Sequence, residues 1–359
     1  MRDFSQAPFL VIWELTQACD LACRHCRASA VPDRDPRELA TGEAFRVLDE
    51  IRDFGDPLVV FTGGDPLKRP DLFDVVRRSV SLGLRTTVTP SATPLLTEDA
   101  IRRLQQCGIA RMAVSLDGAT AISHDGFRRV DGSYARTLAA LDFARRIGLE
   151  TQVNTTVTRH NRGELAAIAR LVEASGARLW SVFFLVLTGR AVAEDDLTAG
   201  EYEEVFRFLY ETAMTAAFDI KTTEAQHYRR FVAQQKKAGH GLGDPGVRSP
   251  IGRQAGINDG KGFLFISHTG EIFPSGFLAV SGGNVRRGSL ADAYRGSRVF
   301  QVLRDPSALG GKCGPCEYRN LCGGSRSRAF ALTGDYLAAD PRCVYVPPAF
   351  QPGTAPAGY

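Results

Sequence analysis

Short apolar runs alternate with amphipathic stretches along the first two-thirds of the chain. Runs rich in Val, Ile, Thr and Phe at 10–15, 58–61, 85–89, 111–116, 150–157 and 179–187 predict strands. Residues 41–54, 70–82, 97–106, 133–147, 162–175 and 199–217, lying between and after them, predict helices. In one of these, Leu138, Leu141, Phe143, Ala144 and Ile147 fall near helical spacing, with Arg145 and Arg146 off the stripe. Six strand–helix units in strict alternation call for parallel strands joined by right-handed crossovers. The expected fold is α/β, an open or partial (β/α)6 TIM-type barrel over residues 1–217.

Beyond residue 217 the alternation stops. Residues 218–262, Gly- and Lys-rich from Gln234 onward, read as a linker or loop. A hairpin is expected at 263–267 and 271–273, turning at Thr269-Gly270, then a short helix at 289–296; residues 263–346 form a second, α+β unit. The Pro-, Gly- and Ala-rich tail 347–359 is expected to fray.

The 359 residues are 44% hydrophobic and 23% charged, enough apolar character for a packed core. Forty-four Lys and Arg against 40 Asp and Glu give +4, spread over helix faces such as Arg77-Arg78 and Arg102-Arg103. No like-charge run suggests a nucleic-acid arm. The apolar stretch at 8–13 is too short for a secretory core and 179–187 is half a membrane span, so no membrane and a cytoplasmic location are expected.

In such a compartment clustered cysteines bind metal or do redox chemistry more often than they form disulfides. Cys19, Cys23 and Cys26 form one group, Cys313, Cys316, Cys322 and Cys343 another, and Cys107 stands alone inside a predicted helix. The first group follows the first strand, Gly63-Gly64-Asp65-Pro66 the second, and Thr89-Pro90-Ser91 the third. Ser115-Leu116-Asp117-Gly118 ends the fourth, Asn154 lies toward the end of the fifth, and Thr188-Gly189-Arg190 follows the sixth. Parallel α/β folds place their chemistry at that edge. Three thiolates at C-x3-C-x2-C spacing suit three irons of a cubane iron–sulfur cluster, leaving one iron open. The alternative is zinc held by the three thiolates and His25.

Together these features resemble the radical S-adenosylmethionine (radical SAM) enzymes. The likeness rests on Cys19, Cys23 and Cys26, on the Gly-Gly-Asp-Pro turn, and on Ser115-Leu116-Asp117-Gly118 followed by Arg128, over residues 8–217. His25 stands where the family usually has an aromatic residue, and Asp65 where it more often has Glu. The resemblance implies a partial (β/α)6 barrel and a 4Fe-4S cluster whose open iron binds S-adenosylmethionine. Reductive cleavage of that compound then gives a 5′-deoxyadenosyl radical that abstracts hydrogen from a substrate C–H bond. It further implies that Gly63, Gly64, Asp65, Ser115, Arg128 and Asn154 contact S-adenosylmethionine, the glycines by letting backbone approach its methionine end. A reductant such as flavodoxin or ferredoxin is implied as partner.

By spacing alone, the second cysteine group fits zinc or a cubane equally. It resembles the SPASM and twitch extensions that carry auxiliary clusters in this superfamily. Full SPASM domains have seven cysteines; here Ser275 and Arg326 stand near two of those positions. One auxiliary 4Fe-4S cluster with no open iron is expected, an electron acceptor for a net oxidation. Trp13-Glu14-Leu15-Thr16, Thr188-Gly189-Arg190, Thr223-Glu224-Ala225 and Phe273-Pro274-Ser275-Gly276-Phe277 most resemble enzymes that modify tetrapyrrole propionates in haem biosynthesis. Arg190, Arg229 and Arg230 are then candidate clamps for propionates, and His227 and His268 candidate contacts to a metal or propionate. Two other readings stay open: maturation of a ribosomal precursor peptide, and a non-catalytic zinc scaffold.

Overall fold

A computed structural model describes residues 3–239 and 256–351. Parts of two sequence expectations, the loop at 240–255 and the tail at 352–359, lie outside the described residues.

Strands β1 (Leu10–Glu14), β2 (Leu58–Thr62), β3 (Thr86–Val88), β4 (Arg111–Ser115), β5 (Thr151–Val157), β6 (Leu179–Phe184) and β7 (Asp219–Thr223) run parallel in sequence order. The connecting helices are α1 (Thr41–Phe54), α2 (Leu72–Ser81), α3 (Glu98–Gln106), α4 (Ala121–Arg128), α5 (Ser133–Arg146), α6 (Leu165–Ser175) and α7 (Ala199–Thr215), with α8 (His227–Lys237) following β7. The partial α/β barrel expected from alternation is thus present. It is one unit longer than the pattern suggested, because β7 and α8 occupy part of the span read as linker.

The strands explain their own sequence. Val11 and Trp13 of β1, Val59 and Phe61 of β2, Val153 and Val157 of β5, and Trp180, Val182 and Phe184 of β6 belong to one buried cluster with the helices. Alternate positions, such as Glu14, Thr62, Asn154, Thr156 and Ser181, therefore face inward, to a more polar lumen. Trp180 is fully buried, its Nε1 donating to Thr155 Oγ1 at 2.9 Å and its ring meeting Phe208 and Phe218 edge-on.

β8 (Phe263–Ile266), β9 (Glu271–Phe273) and β10 (Gly283–Asn284) extend the same sheet. β8 lies parallel to β1, with Leu10 opposite Phe263 and Trp13 opposite Ile266, and turns antiparallel into β9. Helices α9 (Leu290–Gly296), α10 (Arg298–Arg304) and α11 (Arg326–Thr333) follow. Among the described residues, no helix is long and apolar enough to cross a membrane. Trp180→Ala is expected to cost about 3–5 kcal/mol of unfolding free energy, as large buried aromatics do, measurable by denaturant titration.

Candidate functional site

Beyond Glu14 the chain enters the loop that carries Cys19, Cys23 and Cys26, and neighbouring loops grip its backbone. Leu15 N–H donates to Thr62 O at 2.8 Å, and Cys19 N–H to Val31 O at 2.8 Å. From the β2 turn, Gly64 N–H reaches Thr16 O at 2.7 Å and Asp65 N–H reaches Ala18 O at 2.6 Å. A Cβ on Gly63 would meet Thr16 O at 2.6 Å, and one on Gly64 would overlap the carbonyls of Gln17 and Ala18. The close approach these glycines permit is therefore to the cysteine loop itself, where the sequence suggested the methionine end of a cofactor.

The loop after β6 grips the other side. Gly189 has φ 63°, and a Cβ there would overlap the carbonyls of Cys26 and Arg27. Arg190 N–H donates to Cys26 O at 3.0 Å, while its Nε and Nη1 each reach a carbonyl at 2.9 Å, those of Cys23 and Ala30. Arg190, a candidate propionate clamp by sequence, spends these donors on the loop. Asp65 is similarly occupied: its carboxylate accepts from Leu67 N (3.1 Å), Ser91 N (3.3 Å) and Thr93 Oγ1 (2.7 Å), tying the β2 turn to the β3 loop.

Each of the three sulfurs meets a donor. Leu21 N stands 3.3 Å from Cys19 Sγ, Ala30 N 3.4 Å from Cys26 Sγ, and Arg128 Nη1 3.5 Å from Cys23 Sγ. Arg128 ends α4, a helix the hydrophobic pattern did not predict because it is short and contains Gly126; Thr120 caps it through Ser123 N at 3.2 Å. The buried guanidinium pairs with Asp117, whose other oxygen accepts Thr156 N at 2.7 Å. Burial pulls Asp117 upward, but the Arg128 charge, with the Thr156 N–H, outweighs it and holds the carboxyl below its usual range. His25 stacks on Phe127 with ring centroids 4.5 Å apart, filling the aromatic position as an aromatic would. Burial, aided by the Arg128 charge, lowers it to about 4, so it is neutral.

This lining suits an anionic iron–sulfur group. Arg128 Nε, Arg190 Nη2 and His25 Nδ1 are buried without a hydrogen-bond partner among the described residues. Burial pushes the Cys19 thiol up to about 11, so the bare protein keeps it protonated and a bound metal would displace that proton. Among the described residues, no three Cys, His, Asp or Glu side chains stand close enough to hold a single metal ion.

In the second group, Cys313, Cys316, Cys322 and Cys343 line one cavity with His227, Arg230 and Lys312. Backbone N–H groups two residues on serve Cys316, Cys322 and Cys343, from Tyr318, Gly324 and Tyr345, and Arg326 Nη2 lies 4.0 Å from Cys313 Sγ. These four thiols thus share one cavity, each with a donor. Ser275 and Arg326, at positions of absent cysteines, have other partners. Ser275 Oγ lies 3.4 Å from Glu224 Oε1, and Arg326 Nη1 bonds Tyr336 O at 3.0 Å and Ala338 O at 2.7 Å.

The candidate substrate residues of α8 lie beside this second group. His227 is fully buried, stacked on Tyr202 at 5.5 Å, with Nδ1 3.5 Å from Asp340; burial lowers it to about 3, so it carries no charge for a propionate. Arg230 pairs with Glu203 and bonds Gln234 at 2.8 Å. Arg229 Nη1 donates to the carbonyls of Ile257 (2.7 Å) and Leu321 (3.3 Å). His268 instead follows β8 at the sheet edge of the first group, its Nδ1 2.7 Å from Glu14 Oε1. Glu14 also pairs with Arg27, which lies 4.7 Å over the Phe265 ring. Sequence reasoning did not single out Glu14 or Arg27 by role, although Glu14 is a charge ending an apolar strand. Ser115 and Asn154 sit opposite each other on β4 and β5, and Asn154 Oδ1 accepts Gln152 Nε2 at 2.7 Å. Cys107 is a small buried residue against α2, its Sγ 3.7 Å from Phe73 O.

Because the loop contact at Gly64 is between backbones, Gly64→Ala is expected to lower the thermal midpoint by several degrees. Gly42→Ala, in open space on α1, should leave it unchanged or raise it.

Comparison with known proteins agrees with this geometry. Residues 13–172 match the radical SAM superfamily. The chain is 40% identical to an AdoMet-dependent heme synthase of Oleidesulfovibrio alaskensis, covering 97% of this chain and 90% of that one. It is 39% identical to an AdoMet-dependent heme synthase of Methanosarcina barkeri, covering 97% and 99%. Among solved structures, Streptococcus suis SuiB bound to S-adenosylmethionine superposes with TM-score 0.73 at 16% identity over 95% of this chain and 78% of that one, a likeness of fold. The chain belongs to the radical SAM superfamily, whose enzymes use a 4Fe-4S cluster and S-adenosylmethionine.

Proposed function

We propose that the protein oxidises a propionate side chain of a haem precursor, releasing carbon dioxide and leaving a vinyl group. The observation that carries this reading is the 40% identity to a heme synthase over 97% of the chain, a span that takes in both cysteine groups. In this reading Cys19, Cys23 and Cys26 hold the cluster that binds S-adenosylmethionine, and Cys313, Cys316, Cys322 and Cys343 hold one auxiliary cluster. When bound, the first supplies the electron that splits S-adenosylmethionine into methionine and a 5′-deoxyadenosyl radical, and the second supplies an acceptor for the electron left over.

The balance closes. The radical takes one hydrogen atom from the propionate, the carboxylate leaves as carbon dioxide, the vinyl double bond forms, and one electron remains. A saturated four-thiolate site with four N–H···S donors suits that electron, since hydrogen bonds to the sulfurs raise a cluster's potential. Arg128, held charged by Asp117 and Cys23 despite its burial, orients the carboxylate of S-adenosylmethionine, with Ser115 and Asn154 as further polar contacts on adjacent strands. Arg190 and the glycines at 63, 64 and 189 keep the cysteine loop fixed while charge moves. The electron enters from a small reductant such as flavodoxin or ferredoxin.

Anaerobic incubation of reconstituted protein with S-adenosylmethionine, reductant and an iron coproporphyrin tests the reading, with products weighed by mass spectrometry. Loss of carbon dioxide is expected; deoxyadenosine formed with the porphyrin unchanged would count against it. About eight irons per chain are expected, against about two zincs for a metal-bound scaffold. Cys23→Ala should abolish deoxyadenosine formation. Cys316→Ala should retain it and lose the porphyrin product, with full turnover of Cys316→Ala refuting the acceptor role.

A further inference from the structure

β7 brings a cation to the barrel lumen that the sequence pattern left inside a presumed linker. Ile220 packs outward against the main core, so Lys221 faces the other way, as do Ser181 and Thr223, whose hydroxyls are 3.4 Å apart. Strand register extends a row: Lys221 is level with Ser181, Ser181 with Asn154, and Asn154 with Ser115. The row thus begins at the residues assigned above to S-adenosylmethionine and ends at an ammonium group.

The Lys221 ammonium forms no hydrogen bond or ion pair with any described residue. Its neighbours add positive charge. Burial, with Arg229 and Arg111, lowers Lys221 to about 8, and burial with Arg229 lowers Lys261 too. Arg229 cannot cancel that field, because its partners are neutral carbonyls, and Arg111 is already paired with Glu150. The acid facing Lys221 is Glu224. Burial and the neighbouring Asp259 push its carboxyl upward, and its two oxygens accept from Ser275, Ser325 and Ser327 rather than from the ammonium.

A half-buried ammonium without a counterion is costly, and an entering carboxylate would relieve that cost. Apolar ring surface lies close along the same wall. Phe183 is level with Thr223, and its ring centroid is 6.5 Å from that of Phe277 in the loop after β9. A cation beside aromatic faces suits a flat apolar ligand that carries carboxylates on its rim.

We propose that Lys221 is a substrate-binding residue that takes one acid side chain of a polycarboxylate macrocycle. The assignment rests on the tetrapyrrole reading above and adds the contact that selects the free acid. Coproporphyrin and its tetramethyl ester are titrated separately into anaerobically reconstituted full-length protein, followed by Soret absorbance. The wild type should bind the acid about tenfold or more tighter than the ester. Lys221→Met should lose that preference by weakening the acid alone, and Lys221→Arg, which keeps the charge, should retain it. If Lys221→Met binds the acid as tightly as the wild type, the assignment is overturned while the tetrapyrrole reading stands. If the wild type binds neither compound, the tetrapyrrole reading falls and the assignment with it.

Discussion

The structure depends on the immobility of one loop. The segment carrying Cys19, Cys23 and Cys26 has no regular secondary structure, so its carbonyls need partners from elsewhere. They are met from the β2 turn by Gly64 and Asp65 N–H groups, and from the β6 loop by Arg190, which alone serves three of them. Both neighbours approach so closely that a side chain at Gly64 or Gly189 would intrude. A preorganised scaffold of this kind spends its ordering cost on folding rather than on each catalytic cycle.

Electrostatics follow from that placement. Arg128 reaches the loop from the end of α4 and brings its counter-charge, Asp117, from the end of β4. The pair lets a guanidinium remain charged in a buried place, beside a sulfur and a neutral His25. The second cysteine group repeats along its cavity wall the contact that serves Cys19, a backbone N–H two residues beyond a cysteine pointing back at its sulfur. Both arrangements leave buried polar atoms without hydrogen-bond partners among the described residues, Arg128 Nε and Arg190 Nη2 at the first and both ring nitrogens of His227 at the second.

Much of this was legible in the sequence, for identifiable reasons. Periodicity found the strands from β1 to β6 because each buries one face in the apolar cluster, and cysteine spacing picked out the two groups of thiols, the second of which lines one cavity. The short, polar α4 escaped, as did β7, whose Asp-Ile-Lys-Thr-Thr places one large apolar side chain among charges. Residue identity also failed to reveal partners. Arg190, Arg229 and Arg230 look alike in sequence, yet the first braces a loop, the second bonds carbonyls and the third pairs with Glu203. Those differences depend on which backbone each guanidinium meets, and that is settled by tertiary packing.

The parallel pairing of β8 with β1 has a consequence for how the chain is made. β1 is synthesised first, but its outer edge receives a neighbour only after residue 266 has emerged. Until then, nascent protein on the ribosome carries a bare, apolar strand edge directly before its first cysteines, the kind of edge that recruits foreign strands. Chaperone cover during translation, and metal loading only after release, would suit such a topology.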